Sequence, residues 1–369
     1  MPTPSKHIPL IFKAAVFPAA FLGFSPSAGA GVPLKAPEAE IRTEVPSPRE
    51  SRDTLRMLFI GDMMMHTRQL GYDSRAFIRE LEPLIAEADV AVAGAEFTLA
   101  GKPYMGYPRF SAPDEYPGNI RASGIDVLLL ANNHILDHGS AGLSRTLEKI
   151  GEPYCGAGAD SASFARHNPL IIRAGGVSVA LVNFTYGTNL GADREWPKVA
   201  RMEDREVSAL MERARKADFV VALPHWGEEY VLRHNASQER WAARLAELGA
   251  DVIIGAHPHV VQDTATVKGV PVVYSMGNAV SNMSAPNTRL ELAVTLRVVS
   301  SAPAGVVEIL GPELHFLWCT LPGKLTDGFS TIPVAGYLGK RYLWKDPSEY
   351  DNMVRTLERV LKETRIEHQ

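Results

Sequence analysis

The sequence has few cysteines and few long apolar runs. Only Cys155 and Cys319 are present among 369 residues, which excludes a disulfide-built scaffold and a zinc module made of cysteines. The two thiols could pair in an oxidising compartment, but their spacing does not establish a bond. The apolar stretch AAVFPAAFLGF near the start has 11 residues, whereas a helix needs about 20 to cross a bilayer.

A strong excess of charge of either sign is also missing. Lys and Arg number 38 against 42 Asp and Glu, for a net charge of −4, so the charge balance gives no reason to expect nucleic acid as a partner. Hydrophobic residues make up 46% and charged residues 22% of the chain, which is typical of globular proteins. The length alone would allow two domains of about 150 residues each.

The N-terminal segment before Glu38 contains no acidic residue, and three lysines are its only charged side chains. A basic start, a short apolar middle and the small residues Ala28-Gly29-Ala30 predict a secretory signal over residues 1–30. The alternative is a weakly hydrophobic disordered tail. Residues 31–53 are rich in proline and charge, which predicts a linker. We therefore expect an exported, periplasmic or extracytoplasmic protein, with an uncleaved signal as a possible membrane anchor.

The remaining sequence alternates short apolar runs with amphipathic stretches. Continuous apolar strands between helices predict an α/β fold with sheet faces covered by helices. Leu170–Phe184 has the pattern of a hairpin, and Ser237 is the expected N-cap of its helix. The predicted helices are Ser74–Ala88, Ser140–Ile150, Asp204–Ala217, Ser237–Leu248 and Pro347–Glu367.

Polar side chains follow five predicted strands, and ligands of α/β sheets bind at the carboxyl ends of strands. Carboxylate, amide and imidazole groups suit Zn, Mn or Fe, so these residues predict a metal or catalytic site. His257 and His259 are two positions apart, and in an extended segment both rings would face the same way. The residues are Asp62, Glu96, Asn133, His134, His225, His257 and His259.

Each of these elements has a structural alternative. Gly61-Asp62 could be a turn, and Glu96 could be a cap or loop carboxylate. Asn133-His134 could belong to a satisfied turn, and His225 could be a hydrogen-bonded core histidine. The combination in one order is what favours a functional site.

The segments GDMMMHTR, GAE, ANNHILDHG, LPHWGEEY, GADVIIGAHPHVVQ and YSMGN resemble the CapA family, which is associated with bacterial poly-γ-glutamate synthesis and belongs to the calcineurin-like metallophosphoesterase superfamily. The resemblance covers about residues 55–285. It implies a four-layer αββα sandwich with a site at the strand ends. We expect this domain over residues 54–300, and strands and a helix that pack on or extend it over 301–369.

The resemblance also implies two divalent metals. By its motifs, Asp62 and His259 would bind the first metal, Glu96 is the second-motif acid, and Asn133, His225 and His257 would bind the second metal. His134 would protonate the leaving group or steady the oxyanion. Asp137, three residues on, could orient the His134 ring.

The sequence departs from the superfamily pattern at Met64, where a histidine ligand is usual and a thioether is a poor ligand for hard divalent metals. His66 is a candidate substitute. We therefore expect unequal sites, with the one held by Glu96, Asn133, His225 and His257 tighter than the one held by Asp62 and His259.

Three further residues match family elements. Glu229 and Tyr230 follow the His225 strand and would contact a ligand or substrate, or else form a solvated loop. Asn278 is expected to contact a metal ligand rather than the metal.

Arg68, Arg109 and Arg289 could bind an anionic substrate, although a surface position is the simpler expectation for each.

The patterns leave three functions open. The first is an exported metal-dependent hydrolase of phosphoesters in the synthesis or assembly of capsular poly-γ-glutamate or a related anionic polymer. The second is a non-catalytic assembly or tethering component that binds membrane-bound capsule synthesis proteins. The third is amide or γ-glutamyl chemistry at the same metals. Expected partners are an anionic polymer or a phosphoester, without nucleic acid.

Overall fold

The structure, a computed structural model, describes residues 54–174, 176–191, 196–301 and 306–366. The predicted signal (1–30) and linker (31–53) lie outside the described residues. Within the described ranges, none of the helices has both the length and the apolar character that a membrane span requires.

The described residues form strands and short helices in alternation. The strands are β1 Thr54–Met63, β2 Val90–Ala95, β3 Val127–Leu129, β4 Tyr154–Cys155, β5 Ala157–Gly158, β6 Leu170–Ala174, β7 Val177–Thr185, β8 Lys198–Val199, β9 Phe219–His225, β10 Val252–Ile254, β11 Thr264–Val267, β12 Val270–Val273, β13 Leu290–Ser301, β14 Val306–Thr320 and β15 Ser330–Pro333. The helices are α1 Glu82–Ile85, α2 Tyr116–Ala122, α3 Gly139–Lys149, α4 Ser161–His167, α5 Asp204–Ala214, α6 Ala236–Glu247, α7 Val334–Tyr337 and α8 Pro347–Glu363.

Two large sheets dominate the described part of the chain. The first has the strand order β15-β14-β13-β1-β2-β3-β4, and β1 to β4 run parallel to one another. The second has the order β11-β12-β10-β9-β7-β6, with β12, β10, β9 and β7 parallel. Parallel strands end at one edge of their sheet, so the loops after β1, β2, β3, β9 and β10 can converge.

The side chains alternate between two cores, which places the sheets face to face. In β1, Leu55, Met57 and Phe59 pack between the sheets, whereas Leu58 and Ile60 pack outward. The outer core of the first sheet includes side chains of α1, α2 and α3, and that of the second includes side chains of α5 and α6. The helix–sheet–sheet–helix arrangement confirms the predicted four-layer αββα sandwich.

Two local predictions were wrong. The expected helix over Ser74–Ala88 is divided into the 3₁₀ turns Ser74–Ala76 and Arg79–Leu81 and the single turn of α1. Pro83, which lacks an amide proton and crowds the preceding turn, accounts for the break between Arg79–Leu81 and α1. The N-cap of α6 is Asn235 rather than Ser237. Its side chain accepts the Ser237 and Gln238 amides at 3.0 Å each, which is the arrangement that asparagine favours at this position.

The C-terminal segment is joined to the first sheet. β14 pairs with β13 from Leu290 to Ser301, and α8 buries Met353, Leu357 and Val360 against the core between the sheets. The two cysteines are both free and buried.

A buried ion pair ties α8 to β13 and β14. Arg289 Nη2 lies 2.5 Å from Glu349 Oε1, and the guanidinium stands 4.6 Å from the Trp318 ring centre. Trp318 Nε1 donates to the same Glu349 oxygen at 3.2 Å. The surface position expected for Arg289 is therefore wrong, because its charge has a carboxylate and an aromatic face within the core.

We expect Arg289→Met to lower the free energy of unfolding by about 3–5 kcal/mol, because it leaves the Glu349 carboxylate buried without a cation. Urea denaturation measures the loss, and Arg289→Met with Glu349→Leu should recover most of it. Arg341→Met, which breaks the exposed pair with Asp351, is the matched control and should change stability little. Equal losses in the two single variants would contradict this account.

Candidate metal centre

Strand ends from both sheets meet at one point of the structure. Asp62 lies near the end of β1, and Glu96 directly follows β2, which is the parallel neighbour of β1. His225 is the last residue of β9 in the other sheet. The cluster is held by the edges of two stacked sheets, so its side chains are fixed by the packing of both.

The described residues include three groups of side chains whose ligand atoms lie within 4.8 Å of one another. They are Glu96 with His225 and His257, Asp62 with Glu96 and His259, and Glu229 with His257 and His259. Glu96 belongs to the first two groups, so its carboxylate lies between two possible cation positions. The acid–imidazole composition suits a borderline divalent metal.

The Glu96 carboxylate is the strongest sign of a cation site. Both of its oxygens are buried and have no hydrogen-bond partner. The nearest basic atoms are imidazole nitrogens at 3.8 Å (His259 Nδ1) and 3.9 Å (His225 Nε2). Burial, and next the Asp62 charge, raise the pKa of Glu96 well above its usual value. A buried carboxylate is expected to be paired or to coordinate a metal, so these residues fit a divalent cation.

The Asp62 carboxylate is also buried, but it accepts one backbone hydrogen bond. It accepts the His257 amide on Oδ2 at 3.2 Å, and its Oδ1 is 3.8 Å from His225 Nδ1. Burial raises the pKa of Asp62 to about 7. Two buried carboxylates so near each other repel unless a proton or a metal cation lies between them.

The His257-Pro258-His259 segment is not extended, contrary to the expectation from its spacing. His257 has φ +100° and His259 has φ +58°, conformations that cost energy in non-glycine residues and concentrate at functional sites. The two ring centres are nevertheless 5.9 Å apart. Two left-handed residues turn the backbone so that both rings reach the cluster.

The imidazoles of the cluster are held neutral, which is the form that binds metals. Burial lowers the pKa of His257 to about 3 and that of His259 to about 4, and it lowers the pKa of His225 well below the usual value. Nδ1 of His257 is buried without a partner. His259 Nδ1 contacts Asn278 Oδ1 at 2.8 Å, so Nε2 is the His259 nitrogen left for a metal.

Asn133 and His134 follow β3 and carry two further contacts. Asn133 Oδ1 lies 2.9 Å from His225 Nε2, so an amide oxygen and an imidazole nitrogen are side by side. His134 Nδ1 is 2.8 Å from Asp137 Oδ2, which also accepts the Phe110 amide at 2.8 Å. The Phe110 ring packs edge-on against the His134 ring at 4.7 Å. The carboxylate, amide and ring together fix the imidazole with Nε2 pointing towards Glu96, 4.0 Å away.

Met64, which replaces the usual histidine ligand, and the candidate substitute His66 both lie outside the ligand groups of the described residues. Met64 is buried in the outer core of the first sheet. His66 is the N-cap of the turn Thr67–Gly71, its Nε2 is buried without a partner, and it belongs to none of the three ligand groups in the described residues.

The two arginines that could bind an anionic substrate make other contacts. Arg109 Nε donates to the Asp137 carbonyl at 2.8 Å, and Arg68 lies 5.9 Å from the Phe329 ring centre.

The sequence analysis did not predict the positions of two residues near the cluster. Glu229 was expected to contact a ligand or substrate, yet it joins His257 and His259 in a ligand group. Asn189, in the loop after β7, contacts both Asn133 and His134. The strand-end rule that found the other residues applies to β7 as well and would have pointed to this loop.

Glu96→Gln should raise the melting temperature of the metal-free protein, because it removes one of two adjacent buried carboxylates. Each kcal/mol corresponds to about 1–2 °C at this size. Mn²⁺ should raise the melting temperature of the wild type but not of the variant, as calorimetry with chelator or metal would show. The exposed Glu228→Gln is the control. A destabilised variant that keeps its response to Mn²⁺ would contradict this interpretation.

The sequence comparisons agree with the resemblance to the CapA family. The sequence model of the family described as bacterial capsule synthesis protein PGA_cap matches residues 56–283. The capsule biosynthesis protein CapA of Bacillus anthracis is 30% identical over 67% of this chain and 65% of its own length. The PGA biosynthesis protein CapA of Bacillus subtilis (strain 168) is 30% identical over 72% of this chain and 73% of its own. A phosphatase structure from Mycoplasma pneumoniae is 13% identical, with a TM-score of 0.44, and covers 71% of this chain and 93% of its own. The chain belongs to the PGA_cap family of bacterial capsule synthesis proteins.

Proposed function

We propose that this protein is an exported, metal-dependent hydrolase of the phosphoesterase type that acts in the synthesis or assembly of capsular poly-γ-glutamate or a related anionic polymer. The observation that carries the hydrolase proposal is the Glu96 carboxylate, whose two buried oxygens lack partners among three imidazoles. Two relatives named for capsule or PGA biosynthesis support the polymer. The head of the sequence, with its basic start and short apolar stretch, supports export.

The ligand groups support two cation positions that share Glu96. Asp62, Glu96 and His259 would hold the first. Glu229 lies with His257 as well as His259, and we assign its carboxylate to the first position, from the solvent side, because that position has fewer candidate ligands. Glu96, Asn133, His225 and His257 would hold the second. Divalent metals in such sites act as Lewis acids that polarise a phosphoryl oxygen and activate water.

The protein's own proton donor in this proposal is His134. Its ring is held by Asp137 and Phe110, and its Nε2 faces the cluster, where it can pass a proton to the oxygen of a leaving group. Asp137 stabilises the imidazolium form before that transfer. Arg109 fastens the loop that carries Phe110 to the Asp137 carbonyl, which preserves the arrangement.

Substrate would enter on the side of Glu229 and Tyr230, because the other candidate ligands are buried. Tyr230 is 55% exposed and its ring centre lies 5.9 Å from that of His259. Tyr186, 49% exposed, stands 4.7 Å from His257 in the same way. These rings form an aromatic rim on which an extended polymer could lie.

A second candidate function is non-catalytic assembly or tethering of a capsule export complex. The replacement of a usual histidine ligand by the buried Met64 favours it, because it weakens one metal position. Lack of turnover with phosphoesters and with poly-γ-glutamate, together with recovery of membrane synthesis proteins in a pull-down, would support this function. Turnover of poly-γ-glutamate alone would support γ-glutamyl hydrolysis.

The Mn²⁺-loaded protein should hydrolyse a generic phosphodiester such as bis(p-nitrophenyl) phosphate. His134→Ala should lower kcat roughly 10²–10⁴-fold, because it removes the proton donor, and His257→Ala should reduce activity through loss of metal. Release of p-nitrophenol measures both. Equal residual activity in the wild type and the two variants would mean that a contaminant is responsible.

Metal titration of the chelator-treated protein should resolve a tight and a weak site. Glu229→Gln should weaken the weak site by on the order of tenfold or more, since one anionic ligand is lost. The neighbouring Glu228→Gln, an exposed carboxylate of equal charge, should leave both sites unchanged. Two equally tight sites in the wild type, or equal effects of the two variants, would contradict the ligand assignment.

A further inference from the structure

The loop after β7 is fastened to the backbone of two candidate metal ligands. The Tyr186 amide donates to the His225 carbonyl at 2.9 Å, and the Asn189 amide donates to the Asn133 carbonyl at 2.8 Å. These bonds join a connection of the second sheet to strand ends of both sheets. The position of residues 186–189 is therefore set by the same residues that build the cluster.

The side chain of Asn189 joins two groups with different tasks in the proposed reaction. Asn133 Nδ2 donates to Asn189 Oδ1 at 3.4 Å, and Asn189 Nδ2 lies 3.3 Å from His134 Nε2. The far side of each partner is already engaged, since Asn133 Oδ1 faces His225 Nε2 and His134 Nδ1 faces Asp137. The result is a continuous chain of polar contacts from His225 through Asn133, Asn189 and His134 to Asp137.

The Asp137 carboxylate at one end determines which atoms donate and which accept along this series of contacts. Before His134 takes up the proton that it donates, the Asp137 carboxylate accepts the Nδ1 proton, so Nε2 carries the lone pair that meets the Asn189 amide group. Asn189 then offers its oxygen to Asn133 Nδ2, which turns Asn133 Oδ1 towards His225. One side chain thus sets both the amide orientation of Asn133 and the ring orientation of His134.

We infer that Asn189 is a positioning residue that couples the metal ligand Asn133 to the proton donor His134. The inference rests on the proposed function for the tasks of these two residues, but the coupling itself is a property of their contacts. Partners that orient a metal ligand commonly change affinity or activity 10–100-fold when they are removed.

Asn189→Ala should lower kcat about 10–100-fold with less than a twofold change in KM, because the side chain acts through Asn133 and His134 rather than on the substrate. It should also weaken Mn²⁺ binding in calorimetry and change the ¹⁵N imidazole resonances of His134, assigned by their loss in His134→Ala. The neighbouring Leu190→Ala, which removes an exposed side chain from the same loop, is the matched control for all three measurements.

Asn189→Asp separates the two contacts. Its carboxylate can still accept from Asn133 Nδ2, so Mn²⁺ affinity should stay within about twofold of the wild type, but it cannot donate to Nε2, so the His134 resonances should change as they do in Asn189→Ala. If Asn189→Ala leaves Mn²⁺ affinity and the His134 resonances as in Leu190→Ala, the inference is wrong. Absence of turnover in the wild type would overturn the proposed function instead, because the metal and resonance measurements do not depend on activity.

Discussion

The burial of Glu96 is the constraint on which the site depends. A carboxylate with both oxygens away from water and without a hydrogen-bond donor is expensive in a folded protein. Here it stands beside Asp62 and three neutral imidazoles, none of which supplies a positive charge. A bound cation would make the arrangement favourable, so the burial of these carboxylates is what would give the cluster its affinity for metal.

The two-sheet architecture is what makes such a cluster possible. Asp62, Glu96 and Asn133 come from parallel strands of the first sheet, whereas His225, His257 and His259 come from the second. The core between the sheets holds the two edges together, and the left-handed conformations of His257 and His259 bring their rings inward. β14 and β15 complete the first sheet and α8 packs against the core between the sheets, so these described C-terminal elements support the site without contributing its ligands.

Much of this arrangement could be predicted from the sequence, because strand ends and apolar runs are local patterns. The α/β class, the sandwich and the proximity of the polar strand ends followed from them and from the resemblance. Failures occurred where tertiary contacts decide. Pro83 divides a segment with helical spacing, and the partner of Arg289 is 60 residues away, at Glu349. Asn189 has no motif of its own, and only the folded loop brings it to His134.

The central claim is that Glu96 lies between two metal positions. Anomalous X-ray diffraction from crystals grown with saturating Mn²⁺ tests this most directly. The account predicts two manganese peaks that flank the Glu96 carboxylate, one beside Asp62 and His259 and the other beside Asn133, His225 and His257. Crystals in which Glu96 binds no manganese, with ordered density for the same side chains, would contradict it.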